Sequence, residues 1–345
     1  MVLASTRSVR LLVCSVLFLS ACSTGVKPES TAAISFAAYG DMPYMARLPD
    51  GRTDEQVLAQ DIAPRIRQRD DIPFVIHLGD LGRPDVACTD SWLEKTRLFW
   101  ENELIKPVFY TPGDNDWTDC DREKLVVRSK ELERLDAVRR ILFSQPKPLG
   151  SVWQYEEQAS LPENQTWWHK GIRFVTQHIV SKDNGRKEVL LDDPQLAIRL
   201  ADARDQQNQV WLDHAFEMAK NNDTVAVVVA IQFDPFGPPD GRRDALARCL
   251  DKPAYKEFCL HLQSVASNLD KPVLLIHGDT NAYCLDQPFS INVAPKLWRL
   301  NAPGDYKVID AALISFDMSS PAKPFSVHGL LSGKPAPQVC DYSWQ

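Results

Sequence analysis

Pro107 to Cys120 reads PVFYTPGDNDWTDC. A short apolar run stops at Gly113-Asp114, and Asp114, Asn115 and Asp116 then place three oxygen-bearing side chains in a row. An apolar run bounded by turn residues predicts a buried strand. The same ending recurs three times. ISFAAY (Ile34–Tyr39) precedes Gly40-Asp41, IPFVIHL (Ile72–Leu78) precedes Gly79-Asp80, and PVLLIH (Pro272–His277) precedes Gly278-Asp279. One Gly-Asp pair is a common turn; four at strand ends are a pattern. A fifth run, TVAVVVAIQF (Thr224–Phe233), ends at Gln232-Phe233-Asp234.

Between these runs the apolar spacing is helical. Thr53 or Asp54 caps a segment that runs through Val57, Ile62 and Ile66 to Gln68, with Pro64 as a kink or break. Thr89 or Asp90 caps another, through Trp92, Leu98 and Phe99. Residues 121–143 read as a charged amphipathic helix, and 193–220 and 242–269 as two more, the last broken at Pro253. Ile172–Val180, Lys307–Phe316 and Phe325–Leu331 read as further strands. Apolar runs alternating with helices predict an α/β domain with buried sheets. In such sheets ligands gather at the C-terminal ends of the strands. Carboxylates that converge there repel one another unless a cation compensates. The expected site is therefore oxygen-rich and suited to a divalent metal.

The 345 residues are 44% hydrophobic and 25% charged, enough apolar material for a sizeable core. At the N-terminus Arg7 and Arg10 precede an uncharged stretch, LLVCSVLFLSA (11–21), too short to span a bilayer. Leu19-Ser20-Ala21-Cys22 resembles the processing site of bacterial lipoproteins. That resemblance implies removal of residues 1–21, a lipid on the Cys22 thiol and a polar tether over 22–32. An ordinary secretory signal is the alternative. Ser23 after the cysteine implies a lipid-anchored place at the bacterial cell envelope, in the outer membrane facing the periplasm. Loss of the leader leaves 37 basic against 46 acidic residues, a balance of −9, which argues against non-specific nucleic-acid binding. Six cysteines follow Cys22, none with the CxxC spacing of a zinc site. In an exported chain an even number is expected to pair. The expected pairs are Cys88–Cys120, Cys249–Cys259 and Cys284–Cys340, one of 15 arrangements, with buried free thiols as the alternative.

The order and spacing of these motifs resemble those of the calcineurin-like metallophosphoesterases, from about Ile34 to Asn281. That family's D-x-H, G-D and G-N-H-D/E motifs fall on Asp41-Met42-Pro43, Gly79-Asp80 and Gly113-Asp114-Asn115-Asp116. Its strand-end histidine falls on Gln232, and its G-H-x-H on Gly278-Asp279-Thr280-Asn281. The resemblance implies one domain over 33–345: an α/β, four-layer αββα sandwich of the metallo-dependent phosphatase type, two mixed β-sheets flanked by helices. It also implies hydrolysis of a phosphomonoester or phosphodiester, with metal-activated water attacking phosphorus.

Carried over residue by residue, Asp80, Asp114, Gln232 and Asp279 hold one ion. All-oxygen donors with three carboxylates suit Mg²⁺, Mn²⁺ or Ca²⁺ better than zinc. Asp41 and Asn281 contribute to a second, weaker site that has lost its nitrogen ligands, so one ion is expected rather than two. Asn115 stands where the family has the histidine that protonates the leaving group. An amide has no proton to give, a loss of about 10²-fold or more. Asp116 reads as a supporting or capping carboxylate. His178, near a strand end, is a candidate substrate or supporting group, whereas His77 and His277 read as core histidines. Arg83 reads as a loop arginine, and Tyr44 and Trp117 as pocket walls or packing residues. The expected partners are a small-molecule phosphate ester and, through the anchor, a membrane. The alternative is a catalytically weak or silent lipoprotein of this fold that binds a ligand or an envelope partner.

Overall fold

Period-two alternation divides the first strand between two cores. Phe36 and Ala38 point into a layer shared by two sheets, while Ala37 and Tyr39 point toward helices. The computed structural model describes residues 1, 34–237, 244–280 and 282–342. The expected leader from residue 2 to 21, the tether (22–32) with Cys22, and Asn281 lie outside the described residues.

Twelve strands form among the described residues: β1 (Ile34–Tyr39), β2 (Val75–His77), β3 (Val108–Tyr110), β4 (Glu156–Gln158), β5 (Leu161–His169), β6 (Ile172–Thr176), β7 (Ala226–Ala230), β8 (Val273–His277), β9 (Cys284–Asp286), β10 (Leu297–Asn301), β11 (Ala312–Phe316) and β12 (Phe325–Gly329). One sheet has the order β12-β11-β1-β2-β3, the other β4-β5-β6-β7-β8-β10-β9. Both are mixed. β1, β2 and β3 run parallel, β11 lies antiparallel to β1, and β12 antiparallel to β11. β6, β7, β8 and β10 also run parallel.

The inner faces meet in an aromatic layer. Phe109 stacks on Trp167 with centroids 3.5 Å apart, and Phe36 meets the Phe174 ring edge-on at 5.1 Å. Each such buried side chain contributes about 1.5–3 kcal/mol. Helical segments 54–67 and 90–104, together with Glu131–Leu142, cover the outer face of the first sheet. Pro194–Met218, Ala245–Leu250 and Pro253–Ser267 cover the second. The result is the expected four-layer αββα sandwich. No helix among the described residues is long and apolar enough to cross a membrane.

One local expectation is corrected, and one strand is added to those expected. The helix expected over 121–143 begins only at Glu131. Cys120 is bonded to Cys88, and its carbonyl accepts from Ser129 N–H at 2.9 Å, so the charged stretch is held as a loop. The division expected at Pro64 is present: a wider turn at Leu58–Ile62 separates Asp54–Val57 from Ala63–Arg67, and Pro64 sits in the first turn of the second piece. β5 shows no apolar signature, since its buried residues include Glu163, Asn164, Gln165 and Thr166. The three disulfides are those expected: Cys88–Cys120, Cys249–Cys259 and Cys284–Cys340.

Candidate metal centre

The parallel strands of both sheets deliver their C-terminal ends to one edge, where cross-sheet hydrogen bonds join them. Asp279 N–H donates to Asp41 Oδ2 at 3.0 Å, and the Thr111 hydroxyl donates to the Gln177 carbonyl at 2.9 Å. Asp41, Asp80 and Asp279 leave their strands at φ of 50°, 52° and 68°, in the left-handed region. Aspartate tolerates it better than most residues, because its short side chain bonds locally. The turn throws each carboxylate sideways over the edge.

The glycines of the pairs have a reciprocal use. A Cβ on Gly113 would fall on the Asp80 carboxylate, and a Cβ on Gly278 on that of Asp41. Each of these glycines thus makes room for the aspartate of another pair, which single-turn chemistry does not require.

Carboxylate oxygens of Asp80, Asp114 and Asp279 lie within 4.8 Å of one another. Gln232 Nε2 sits 3.3 Å from Asp114 Oδ1 and 3.3 Å from Asp279 Oδ1, while its Oε1 is buried without a partner. Asp41 borders the group. Burial first, and then the neighbouring carboxylates, push Asp41, Asp80 and Asp279 well above the ordinary carboxylate range. Mutually repelling carboxylates beside an orphaned amide oxygen are the donor set of a hard divalent cation, and the residues fit one. A half-turn of the Gln232 amide would present oxygen in place of nitrogen.

Asn115 Nδ2 donates to Asp80 Oδ2 at 3.0 Å and to the Tyr44 oxygen at 2.8 Å. Tyr44 in turn donates to Asp80 Oδ2 at 2.6 Å. Asp116 does not point at the group. It accepts from the N–H groups of Asp80, Leu81 and Gly113 at 3.0, 2.8 and 2.8 Å, and from the Tyr110 hydroxyl at 2.6 Å. It fixes two Gly-Asp turns to each other.

His178 is fully buried and does not line an open crevice. Its Nδ1 lies 2.8 Å from Glu163 Oε1, and burial followed by Arg204 lowers its pKa to about 4. β5, absent from the sequence reading, brings Glu163 there. His77 accepts from Gly79 N–H at 3.2 Å, and His277 lies 3.6 Å from Asp234, both in the core. Arg83 pairs with Asp85 on a loop. Sequence reasoning missed Tyr44 as a partner of Asp80, Asp305 near Asp41, and Asp119 beside Asp114. Burial and Asp114 raise Asp305 to about 7 and Asp119 to about 8. No strand-end motif marks these residues; only Tyr44 had a signal, three positions after Asp41.

No protein-family model and no curated protein matches the chain. Among solved structures, PhoD superposes with a TM-score of 0.51 at 11% identity, over 90% of this chain and 73% of that one. The 5'-nucleotidase of Candida albicans SC5314 superposes with a TM-score of 0.47 at 11% identity, over 86% of this chain and 50% of that one. The likeness to PhoD is one of architecture: the chain shares its fold, two mixed sheets face to face between helices.

Proposed function

We propose that the chain is a metal-dependent phosphoesterase, hydrolysing a small-molecule phosphate monoester or diester at the bacterial cell envelope, where a lipid on Cys22 anchors it. One observation carries the hydrolytic reading: the carboxylates of Asp80, Asp114 and Asp279 converge where the strands of both sheets end. With Gln232 they would hold one Mg²⁺, Mn²⁺ or Ca²⁺, and Asp41 with Asn281 would serve a weaker second ion. When bound, the cation supplies positive charge to phosphoryl oxygens and acidifies water.

The chain's own residues supply positioning. Tyr44 and Asn115 both donate to Asp80 Oδ2 and hold that carboxylate in place. Asp116 ties the turn at Gly113 to the turn at Asp80. Asn115 donates both Nδ2 hydrogens, to Asp80 Oδ2 and to the Tyr44 oxygen, and would release one of them to meet a phosphate oxygen. It has no transferable proton, so esters with acidic leaving groups should be preferred over alkyl esters by about 10²-fold or more.

The test is hydrolysis of bis-p-nitrophenyl phosphate with Mn²⁺, alongside the metal content of the purified protein. Retained metal, and activity abolished by Asp80→Ala, are expected. Neither metal nor such activity would sink the reading. One observation favours a second reading, a silent ligand-binding protein of the same fold. Among the described residues no histidine side chain hydrogen-bonds Asp41, Asp80, Asp114 or Asp279. Metal retention without hydrolysis would select it.

A further inference from the structure

We infer that a cavity away from the carboxylate group binds an aliphatic monoanion through Arg204. The cavity lies between Glu131–Leu142 and Pro194–Met218 and has a volume of about 470 Å³, within the range of small-molecule sites. Leu132, Leu135, Leu161 and Leu200 wall it, and Trp117 and Arg204 form its floor.

Arg204 is 5% exposed. Its guanidinium lies 5.3 Å from the Trp117 ring centroid, Nη2 donates to the carbonyl and side-chain oxygens of Asn184, and Nε has no partner. Among the described residues no carboxylate lies within ion-pairing distance of it. The nearby acids are taken: Asp205 pairs with Arg186 and Glu163 with Arg139. Trp117 Nε1 is also buried without a partner. A buried cation without a counter-ion is unfavourable, and buried N–H groups are nearly always satisfied. An anionic group at the cavity floor answers both.

The charges at the rim limit the ligand to one negative charge. Arg139 is already engaged by Glu163, and Asp136 at the mouth is an exposed carboxylate that disfavours a second. The walls are aliphatic, and Leu200, 45% exposed at the mouth, continues them outward. An aliphatic body with a carboxylate head fits these surroundings.

The test is calorimetric titration of the full chain with decanoate in EDTA, with decanol as the neutral control. Decanoate should bind saturably, and decanol about tenfold more weakly or worse, the worth of one charge-assisted hydrogen bond. Arg204→Met should weaken decanoate by a similar factor. Leu200→Trp fills the cavity from a half-exposed position without touching the floor. It should weaken binding too, and it decides the matter if Arg204→Met does not fold. Absence of saturable decanoate binding at roughly 1 mM overturns the inference. So do equal affinities for decanoate and decanol, or binding that a folded variant retains in full. Hydrolysis plays no part in this readout, so its outcome is independent of the phosphoesterase reading.

Discussion

Asp279 leaves β8 at φ 68° with its carboxyl pushed well above the ordinary range, by burial first and then by Asp114 and Asp41. The folded state therefore holds a proton that the unfolded chain releases. That contribution to stability is present below the unfolded pKa, near 4, and is lost as pH rises through the folded value. At neutral pH without metal the like charges oppose folding. Asn also accepts the left-handed backbone, so Asp279→Asn should stabilise the metal-free protein by about 1 kcal/mol, the scale of one solvated charge pair. The same change should reduce the rise in melting temperature that Mn²⁺ produces in the wild type. Thermal melts in EDTA and in Mn²⁺ measure both. A variant that is less stable in EDTA would show that repulsion is not the governing effect.

Among the elements, β5 has the least typical composition. It carries Glu163 into the interior, where Arg139 Nη2 and Nε reach the carboxylate at 2.6 and 3.0 Å and His178 at 2.8 Å. Burial alone would raise Glu163, but the His178 and Arg139 hydrogen bonds hold it down to about 2. Breaking a buried pair leaves an unpaired charge, so Glu163→Gln should cost about 3 kcal/mol, read as a lower urea midpoint with unchanged slope. The strand is illegible in sequence because a buried polar network replaces the apolar alternation. The loop over 121–130 was misread for a related reason. Its helical spacing is real, but the Cys88–Cys120 bond and the turn at Thr118–Asp121 hold the backbone elsewhere. By contrast Ile34–Tyr39 was legible to the residue, since a fully buried strand needs an unbroken apolar run.

At the scale of the whole molecule the sandwich buries three histidines in neutral form. Burial lowers His77 to about 3 and His178 and His277 to about 4. The unfolded chain binds those protons near pH 6.5, so stability is full above that value and lost as pH falls toward 4. The carboxylate group has the opposite slope, because its raised acids gain protons on folding. With saturating Mn²⁺ holding the acids ionised, the urea midpoint should fall between pH 6.5 and 4, by roughly 3 kcal/mol or more in all. In EDTA the fall should be shallower. A midpoint independent of pH in Mn²⁺ would contradict the neutral burial of these residues.

From the sequence alone came the alternation of strands and helices, the four Gly-Asp strand ends and the even count of cysteines after Cys22. Each is a local property, a run of apolar residues, a turn or a count, and local chemistry specifies it. Tertiary structure alone decided which side chains converge. It set Tyr44 on Asp80, placed the glycine of one pair against the aspartate of another, and turned Asp116 inward to tie two turns together. It also buried His178 against Glu163 and left Arg204 without a counter-ion beneath a cavity. Those outcomes depend on how two sheets stack and where distant strands end, and sequence separation carries no record of either.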